Sequence, residues 1–429
     1  MLDIKYIREN KDVIIENIKK KFQDQKISSL EKLIILDEEY RDTLKKANQL
    51  KNQRNILTEE VAKRKHQGKD ASDVLEEVKA LPEKIKEMDE LLKKQQTEIW
   101  NLQTIIPNIV SPETPIGEDE SKNKEIKRFS EPKKYDFKLK GHVEIAEELG
   151  LVDFESSRNI SGKGFYFLKG DLALLNQALI RYAQDFMHRK GHICIAPPLM
   201  INRDACNIVS FEDFKESIFK IENKDLHLVA SSELSLINMF KDKIIDDTKM
   251  PIKLFAFSPC FRQEIGSHGV DERGLFRVHQ FDKVEQIIVC RPEESKKYFE
   301  ELLLNQTEML LELGFTLRHL EICTGDLGDM KDRMIDLEVW APKREGWIEL
   351  GSCSNLNNAQ SLKLNIKAKT KQGEKYIPHT LNNTALSTTR TLVAILENYQ
   401  TEKGTIQIPN VLVPYMYGKK EIFKNDNFF

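Results

Sequence analysis

No two cysteines of this chain stand in the Cys-x-x-Cys spacing of structural zinc sites. Cys194, Cys206, Cys260, Cys290, Cys323 and Cys353 are scattered, so zinc is not expected, and a reducing cytoplasm fits better than a disulfide framework. No apolar run reaches the about 20 residues that a membrane span needs, so no membrane is expected among the partners. Met1-Leu2-Asp3-Ile4-Lys5 passes straight into amphipathic sequence, without a signal-peptide core. An excess of charge is missing too: 66 Lys and Arg against 69 Asp and Glu leave −3 over 429 residues. A nucleic-acid partner would have to be met by local basic patches and not by a global field. What is there, 40% hydrophobic and 31% charged residues, suits a soluble globular protein with a long charged surface element. The length suggests two or three domains.

The apolar residues Ile4, Ile7, Val13 (with Ile14) and Ile18 predict one short amphipathic helix from about Asp3 to Lys21. After Ser28-Ser29 a seam begins: Leu33, Leu36, Tyr40, Leu44, Ala47, Leu50, Arg54, Leu57 and Val61. It advances 28 residues in eight steps, a mean of 3.5, which is the coiled-coil period. His66-Gln67-Gly68-Lys69-Asp70 reads as a turn. A second seam follows: Leu75, Val78, Leu81, Ile85, Met88, Leu92, Gln95, Ile99, Leu102 and Ile106. Two such helices predict an antiparallel hairpin over about 30–106, interrupted by Pro82, where a kink is expected. A dimerisation coiled coil would show the same seams.

Pro107, Pro112, Pro115 and Gly117 stop the helix, and the charged stretch 107–134 reads as a linker. From Tyr135 the texture changes to short β-like runs, such as Leu254-Phe255-Ala256-Phe257. They alternate with helical segments such as Leu172 to His188 and Glu293 to Leu313. Residues 135–429 therefore predict one α+β domain on a mostly antiparallel sheet.

The densest chemistry runs from Phe261-Arg262-Gln263-Glu264-Ile265-Gly266-Ser267-His268-Gly269 through Asp271, Arg273-Gly274-Leu275 and Arg277 to His279-Gln280-Phe281-Asp282-Lys283-Val284-Glu285. Apolar runs flanking a Gly-rich charged loop predict a hairpin. On a strand Arg262 and Glu264 would share one face, as would Phe281, Lys283 and Glu285. Such a surface suits a nucleotide: guanidinium for phosphate, carboxylate for an adenine amino group, a ring for the base. A charged hairpin held by salt bridges would look the same.

This hairpin resembles motif 2 of the class II aminoacyl-tRNA synthetases, in the form of their seryl branch. Leu381-Asn382-Asn383-Thr384-Ala385-Leu386-Ser387-Thr388-Thr389-Arg390, with Leu396-Glu397-Asn398-Tyr399-Gln400, is similar to motif 3. Gly191 to Pro198 resembles motif 1, whose proline lies at a dimer interface. Glu349-Leu350-Gly351-Ser352-Cys353-Ser354-Asn355, Gly325-Asp326-Leu327-Gly328 and Asp336-Leu337-Glu338-Val339-Trp340 match further segments. The helical arm is itself a family feature, so the resemblance covers nearly the whole chain, in order.

The resemblance implies an α+β fold: an N-terminal antiparallel coiled-coil arm, then a class II antiparallel β-sheet catalytic domain with flanking helices. Residues 1–106 would bind tRNA and 135–429 would catalyse. Arg262 would hold the ATP α-phosphate and then the adenylate. Arg390, helped by Arg277, would hold the outer phosphates. Phe281 would stack on adenine, Glu264 would meet its amino group, and Glu349 and Ser352 would hold Mg²⁺. Serine would sit among Ser231, Glu233, Arg262, Glu285, Asn382 and Thr384. The implied partners are ATP, L-serine, tRNA(Ser), with tRNA(Sec) as a further substrate, and a second copy of the chain, with no role for DNA. Some departures stand out. Ser231 replaces a commoner threonine, Gly351 a commoner serine, and Asn383, Ala385 and Thr389 stand where bacterial relatives have glycine. His188, His192, His227 and His319 read as surface or packing residues, and His268 and His279 as unneeded bases.

The expected tRNA surface is Lys45, Lys46, Lys51 and Arg54 on the arm's side, with Lys63, Arg64 and Lys65 (beside His66 and Lys69) at its tip. The Lys19-Lys20-Lys21 run reads as a solvated face. Two rivals differ in their signatures. A ligase loading a carrier protein would lack the long arm. A non-catalytic RNA-binding paralogue would have lost Arg262, Glu264 or Arg390.

Overall fold

The computed structural model describes residues 1–206, 208, 217–264 and 274–424. It divides into two compact units, Met1–Pro107 and Asn108–Phe429. The hairpin-loop residues from Ile265 to Arg273, His268 among them, lie outside the described residues.

The first unit begins with two helices, not one: α1 (Ile4–Glu9) and α2 (Lys11–Lys20), separated at Asn10 with φ −131° and ψ 37°. Asp3 caps α1 by accepting from the backbone N–H groups of Lys5 and Tyr6. Of the expected stripe, Ile7, Ile14 and Ile18 are buried, whereas Val13 is exposed. The arm pairs α3 (Ile27–His66, 40 residues) with α4 (Ser72–Ile105, 34 residues). At ~1.5 Å per residue, α3 is about 60 Å long. Gly68, with φ +67°, makes the turn between them.

Every residue of the second seam is buried or half-buried. The first seam needs correction at two residues, Leu44 and Arg54. Thr43 is buried and Leu44 exposed, because the 3-4 alternation running through Leu36, Tyr40, Ala47 and Leu50 puts position 43 on the partner-facing stripe. Arg54 also faces solvent. α4 runs through Pro82 as one helix. Charges lace the hairpin across its two helices: Lys32 with Glu98 at 2.6 Å, Lys51 with Asp89 at 2.8 Å, Arg64 with Asp73 at 3.0 Å.

The second unit is built on an eight-stranded sheet. Its strands in chain order are β1 (Lys124–Phe129), β2 (Ile193–Cys194), β3 (Ile252–Phe261), β4 (Gln280–Cys290), β5 (Leu317–Glu321), β6 (Arg333–Ala341), β7 (Gly346–Asn355) and β8 (His379–Ser387). Across the sheet they run β1-β5-β6-β7-β8-β4-β3-β2. All neighbours are antiparallel except the edge pair β2–β3. The stretch expected as a linker is therefore part of the second unit: β1 pairs with β5, and Asn108 Nδ2 donates to the carbonyls of Met330 and Leu356. Its prolines and charges hid six residues that complete a sheet edge.

Helices α5 (Gly170–Arg189), α6 (Ser295–Glu312) and α7 (Thr388–Asn398) pack on one face of the sheet. Leu172, Leu175, Leu179, Phe186, Leu392 and Leu396 meet Phe255, Val284, Leu337 and Leu386 there, and burial of such side chains stabilises by about 1.5–3 kcal/mol each. Strand alternation leaves the other face of β4, β7 and β8 for polar groups. Among the described residues no helix is long and apolar enough to cross a membrane. His192, His227 and His319 are buried packing residues, and His319 Nε2 lies 2.9 Å from Thr307 Oγ1. His188 is exposed.

Candidate active site

A cavity of about 240 Å³ opens on the free face of the sheet. All twelve residues expected to bind serine, ATP or metal line it: Ser231, Glu233, Arg262, Glu264, Arg277, Phe281, Glu285, Glu349, Ser352, Asn382, Thr384 and Arg390. The expected arm residues form no single cluster. Lys45, Lys46, Arg54, Lys63 and Lys65 are exposed, whereas Lys51 and Arg64 are engaged by Asp89 and by Asp73 and Glu60.

Three local devices aim the cavity's side chains. β4 is regular, so Phe281, Lys283 and Glu285 point inward by simple alternation. β7 and β8 are not regular. The pairing of β6 with β7 shifts at Leu337/Glu338, leaving Leu350 as an extra residue. Glu349 and Ser352 are three apart, yet the bulge lets both reach the cavity. The pairing of β8 with β4 shifts likewise at Ala385, so Thr384 and Ser387 both face in. Arg262 and Glu264 depart from the expectation: β3 ends at Phe261, and neither belongs to a strand. Arg262 N–H donates to His279 O, and Gln263 N–H donates to Ser217 O. The left-handed Glu264, with φ +50°, then turns its carboxylate back into the cavity. His279 supports this corner through Nδ1, 2.9 Å from Arg262 O. A side chain at Gly164 would strike the His279 ring, its Cβ falling 2.5 Å from Cδ2.

The cavity's charges come in pairs. Lys283 contacts Glu285 and donates to Ser231 Oγ at 2.9 Å, and Ser231 Oγ lies 3.4 Å from Glu285 Oε2. Both charged side chains of that pair are buried. Arg390 Nη1 donates to Glu349 Oε2 at 3.0 Å and to Glu349 O at 2.9 Å. Arg277 Nη1 lies 3.5 Å from Glu264 Oε2. The Arg262 guanidinium sits 5.2 Å from the Phe281 ring centroid, and its Nε donates to Ala230 O at 3.3 Å.

Burial holds several carboxylates in and beside the cavity towards their neutral forms. Burial, and then the charge of Glu349, pushes the Asp336 carboxyl up to about 8, against the pull of Lys331. Burial and then Glu285 raise Glu233, whose Oε1 accepts from Gln360 Nε2 at 2.7 Å. Burial raises Glu338 as well, opposed by its hydrogen bond from Arg318. Lys331 is shifted down by burial, opposed by Asp336, Glu233, Glu349 and Asp326.

Residues 1–110 match the family model of the seryl-tRNA synthetase N-terminal domain, and residues 215–399 that of the tRNA synthetase class II core domain (G, H, P, S and T). The serine–tRNA ligase of Methanocorpusculum labreanum is 41% identical over 97% of this chain and 99% of that relative. The chain belongs to the seryl-tRNA synthetase family. Two solved structures of seryl-tRNA synthetases are similar to it throughout. That from Pyrococcus horikoshii, complexed with ATP, has a TM-score of 0.93 at 36% identity, covering 99% of this chain and 100% of its own. The cytoplasmic enzyme of Naegleria fowleri, in complex with AMP, has a TM-score of 0.88 at 31% identity, covering 99% of each chain.

Within this chain two departures from the family pattern explain each other. A Cβ at Gly351 would fall 2.6 Å from Gln306 Nε2 and 2.7 Å from Thr384 Cβ. Gln306 is held there by Asn383, whose Nδ2 donates to Gln306 Oε1 at 2.8 Å, while Asn383 Oδ1 accepts from Gln286. The amide network fills the space that a serine at 351 would need. Nine further lining residues had been given no role from the sequence: Phe276, Val278, Lys283, Lys331, Leu350, Gly351, Ser354, Ser387 and Thr389. Lys283 was legible, because it shares the parity of Phe281 and Glu285. Lys331 carried no such signal.

Proposed function

We infer that this protein activates L-serine with ATP to seryl-adenylate and transfers the seryl group to the 3′ end of tRNA(Ser). One observation carries the reading. The buried Lys283–Glu285–Ser231 chain, suited to an ammonium and a hydroxyl, shares a cavity with Arg262, Arg277 and Arg390, suited to phosphates. Serine's carboxylate is already ionised, so no protein base is needed. Its oxygen attacks the α-phosphorus, the bond to the bridging oxygen breaks, and pyrophosphate leaves with the electron pair. The protein supplies position and charge. Arg262 holds the α-phosphate and then the adenylate, with Arg390 and Arg277 on the outer phosphates. Phe281 stacks on adenine, and Glu264 accepts from its amino group. Glu285 accepts from serine's polar groups, beside Ser231, Glu233, Asn382 and Thr384. A small pocket that pairs with the hydroxyl rejects alanine by leaving buried polar groups unpaired.

The donors present suit a hard divalent cation. The Glu349 carboxylate and Ser352 hydroxyl are brought to one side by the Leu350 bulge, opposite Asp336, whose buried Oδ1 has no hydrogen-bond partner among the described residues. Glu349 and Ser352 would hold Mg²⁺, which when bound offsets charge on the phosphates.

In the second step the tRNA 3′-hydroxyl attacks the adenylate's carbonyl carbon and AMP leaves. Lys45, Lys46, Lys51, Arg54, Lys63, Arg64 and Lys65 of the arm provide phosphate contacts. The exposed Ile193 on edge strand β2, inside the segment similar to motif 1, supports a homodimer, and the reaction belongs to the cytoplasm. Serine-dependent ATP–pyrophosphate exchange, followed by charging of total tRNA, tests the reading. Absence of exchange with serine rejects it, and exchange without charging rejects its second half.

A further inference from the structure

Five cations line the cavity: Arg262, Arg277, Lys283, Lys331 and Arg390. Three are occupied by carboxylates of the same cavity, Arg277 by Glu264, Lys283 by Glu285 and Arg390 by Glu349. Arg262 and Lys331 make no ion pair among the described residues. Arg262 rests on a ring and a carbonyl and has its assignment, the α-phosphate. Lys331 has none. Among the described residues its one side-chain hydrogen bond is to the thioether of Met334, at 2.7 Å, and a thioether is a weak acceptor.

Lys331 grows from a closely held stretch of chain. The backbone around it is gripped from both sides by the segment that follows the arm. Asn108 N–H donates to Asp329 O at 2.7 Å and Asn108 Nδ2 to Met330 O at 3.1 Å. Ser111 N–H and Thr114 Oγ1 both donate to Asp332 O, at 2.9 and 3.0 Å. Lys331 N–H itself donates to Gly328 O. The side chain leaves this clamp for the cavity, whose lining it shares with Glu233 and Glu285 of the serine subsite and with Glu349 and Arg390 of the phosphate subsite. The attacking carboxylate and the α-phosphate meet inside that lining.

We propose that Lys331 is a further catalytic residue, whose ammonium contacts the serine carboxylate and α-phosphate oxygens as they join. It shares with Arg262 the negative charge that builds on the α-phosphate while the new carboxyl-oxygen–phosphorus bond forms and the bond to pyrophosphate breaks. An ammonium already present in the cavity before substrate arrives needs little reorganisation during the reaction. The proposal rests on the adenylation reading above.

The test compares the full-length protein with Lys331→Met, Lys331→Gln and Lys331→Arg. Two quantities are measured: serine-dependent pyrophosphate exchange, and calorimetric binding of a non-hydrolysable seryl-sulfamoyl-adenosine. The expected result is a fall in exchange kcat of roughly tenfold to a hundredfold for the Met and Gln variants. KM for ATP should stay within about twofold, analogue binding should weaken at least about tenfold, and the Arg variant should recover part of both. Unchanged kcat and analogue affinity in folded Met and Gln variants overturns the proposal. So does a loss shared equally by all three variants with a matching fall in Tm, since that reports packing alone. Absence of exchange in the unmodified protein would instead overturn the parent reading.

Discussion

The arm and the cavity use the same residues, Lys, Arg, Asp and Glu, under opposite conditions. On the arm, Lys51–Asp89 and Lys32–Glu98 sit at the surface with both side chains substantially exposed. Water and salt screen them, and each is worth roughly 0–1 kcal/mol. In the cavity, Lys283–Glu285 is buried on both sides, so losing one partner strands the other. The arm can vary its charges one at a time, because its fold lives in the apolar seam. The cavity can vary them only in matched sets.

The largest break in this comparison is expected at Arg262. Arg262→Ala should lower pyrophosphate exchange by about 10²–10³-fold or more while the far-ultraviolet spectrum stays native. Near-normal exchange in the folded variant would sink the phosphate assignment. Next comes Glu285→Ala, which strands the Lys283 ammonium and should cost about 3–5 kcal/mol of stability in denaturant titrations. Combining it with Lys283→Met should restore much of that stability, but not serine recognition. Equal instability in the single and double variants would contradict the matched-set account.

A third effect is read from pH. Burial raises the Asp332 carboxyl from 3.8 to about 7. The native state therefore keeps a proton that the unfolded chain has released between roughly pH 4 and 7. Stability should fall as pH rises through that window. Asp332→Asn should flatten the fall by on the order of 3 kcal/mol, with the like-signed contribution of Asp336 remaining. An unchanged slope would show Asp332 ionised in the native state.

The smallest effects belong to the arm. Replacing Lys45, Lys46, Lys51 and Arg54 with Gln should raise the tRNA KM and flatten its dependence on log salt, by about 0.7–0.9 for each phosphate that is no longer neutralised. Pyrophosphate exchange should not change. An unaltered KM and slope, with helicity intact, would reject this face as the tRNA surface. Asp89→Asn alone should shift stability by less than about 1 kcal/mol.

The difference between the regions also decides what was legible. The second arm seam and the inward face of β4 were read correctly, since both follow from an unbroken period. The first seam slipped by one residue at Leu44, because leucine's apolarity outweighed the stricter 3-4 rhythm that selects Thr43. Asp3–Lys21 was read as one helix, because apolar spacing does not reveal the break at Asn10. Arg262 and Glu264 were rightly expected in one place but for the wrong reason: a left-handed residue and not strand alternation joins them. β1 was hidden by its charges, and its strand exists because β5 offers an edge to pair with. Lys331 was invisible, since its placement depends on hydrogen bonds from Asn108, more than 200 residues earlier in the chain.

The bulges at Leu350 and Ala385 let residues three apart share a face that plain alternation gives to residues two apart. Deleting the extra residue would leave Glu349 and Ser352, or Thr384 and Ser387, two apart, so regular pairing would still hold each pair on one side. What the deletion would remove is the local bend and added twist of the bulged strand, and with it the aim of those side chains. A lineage could therefore shed a bulge codon and keep its ligands on the same side of the sheet, but not at the same spacing.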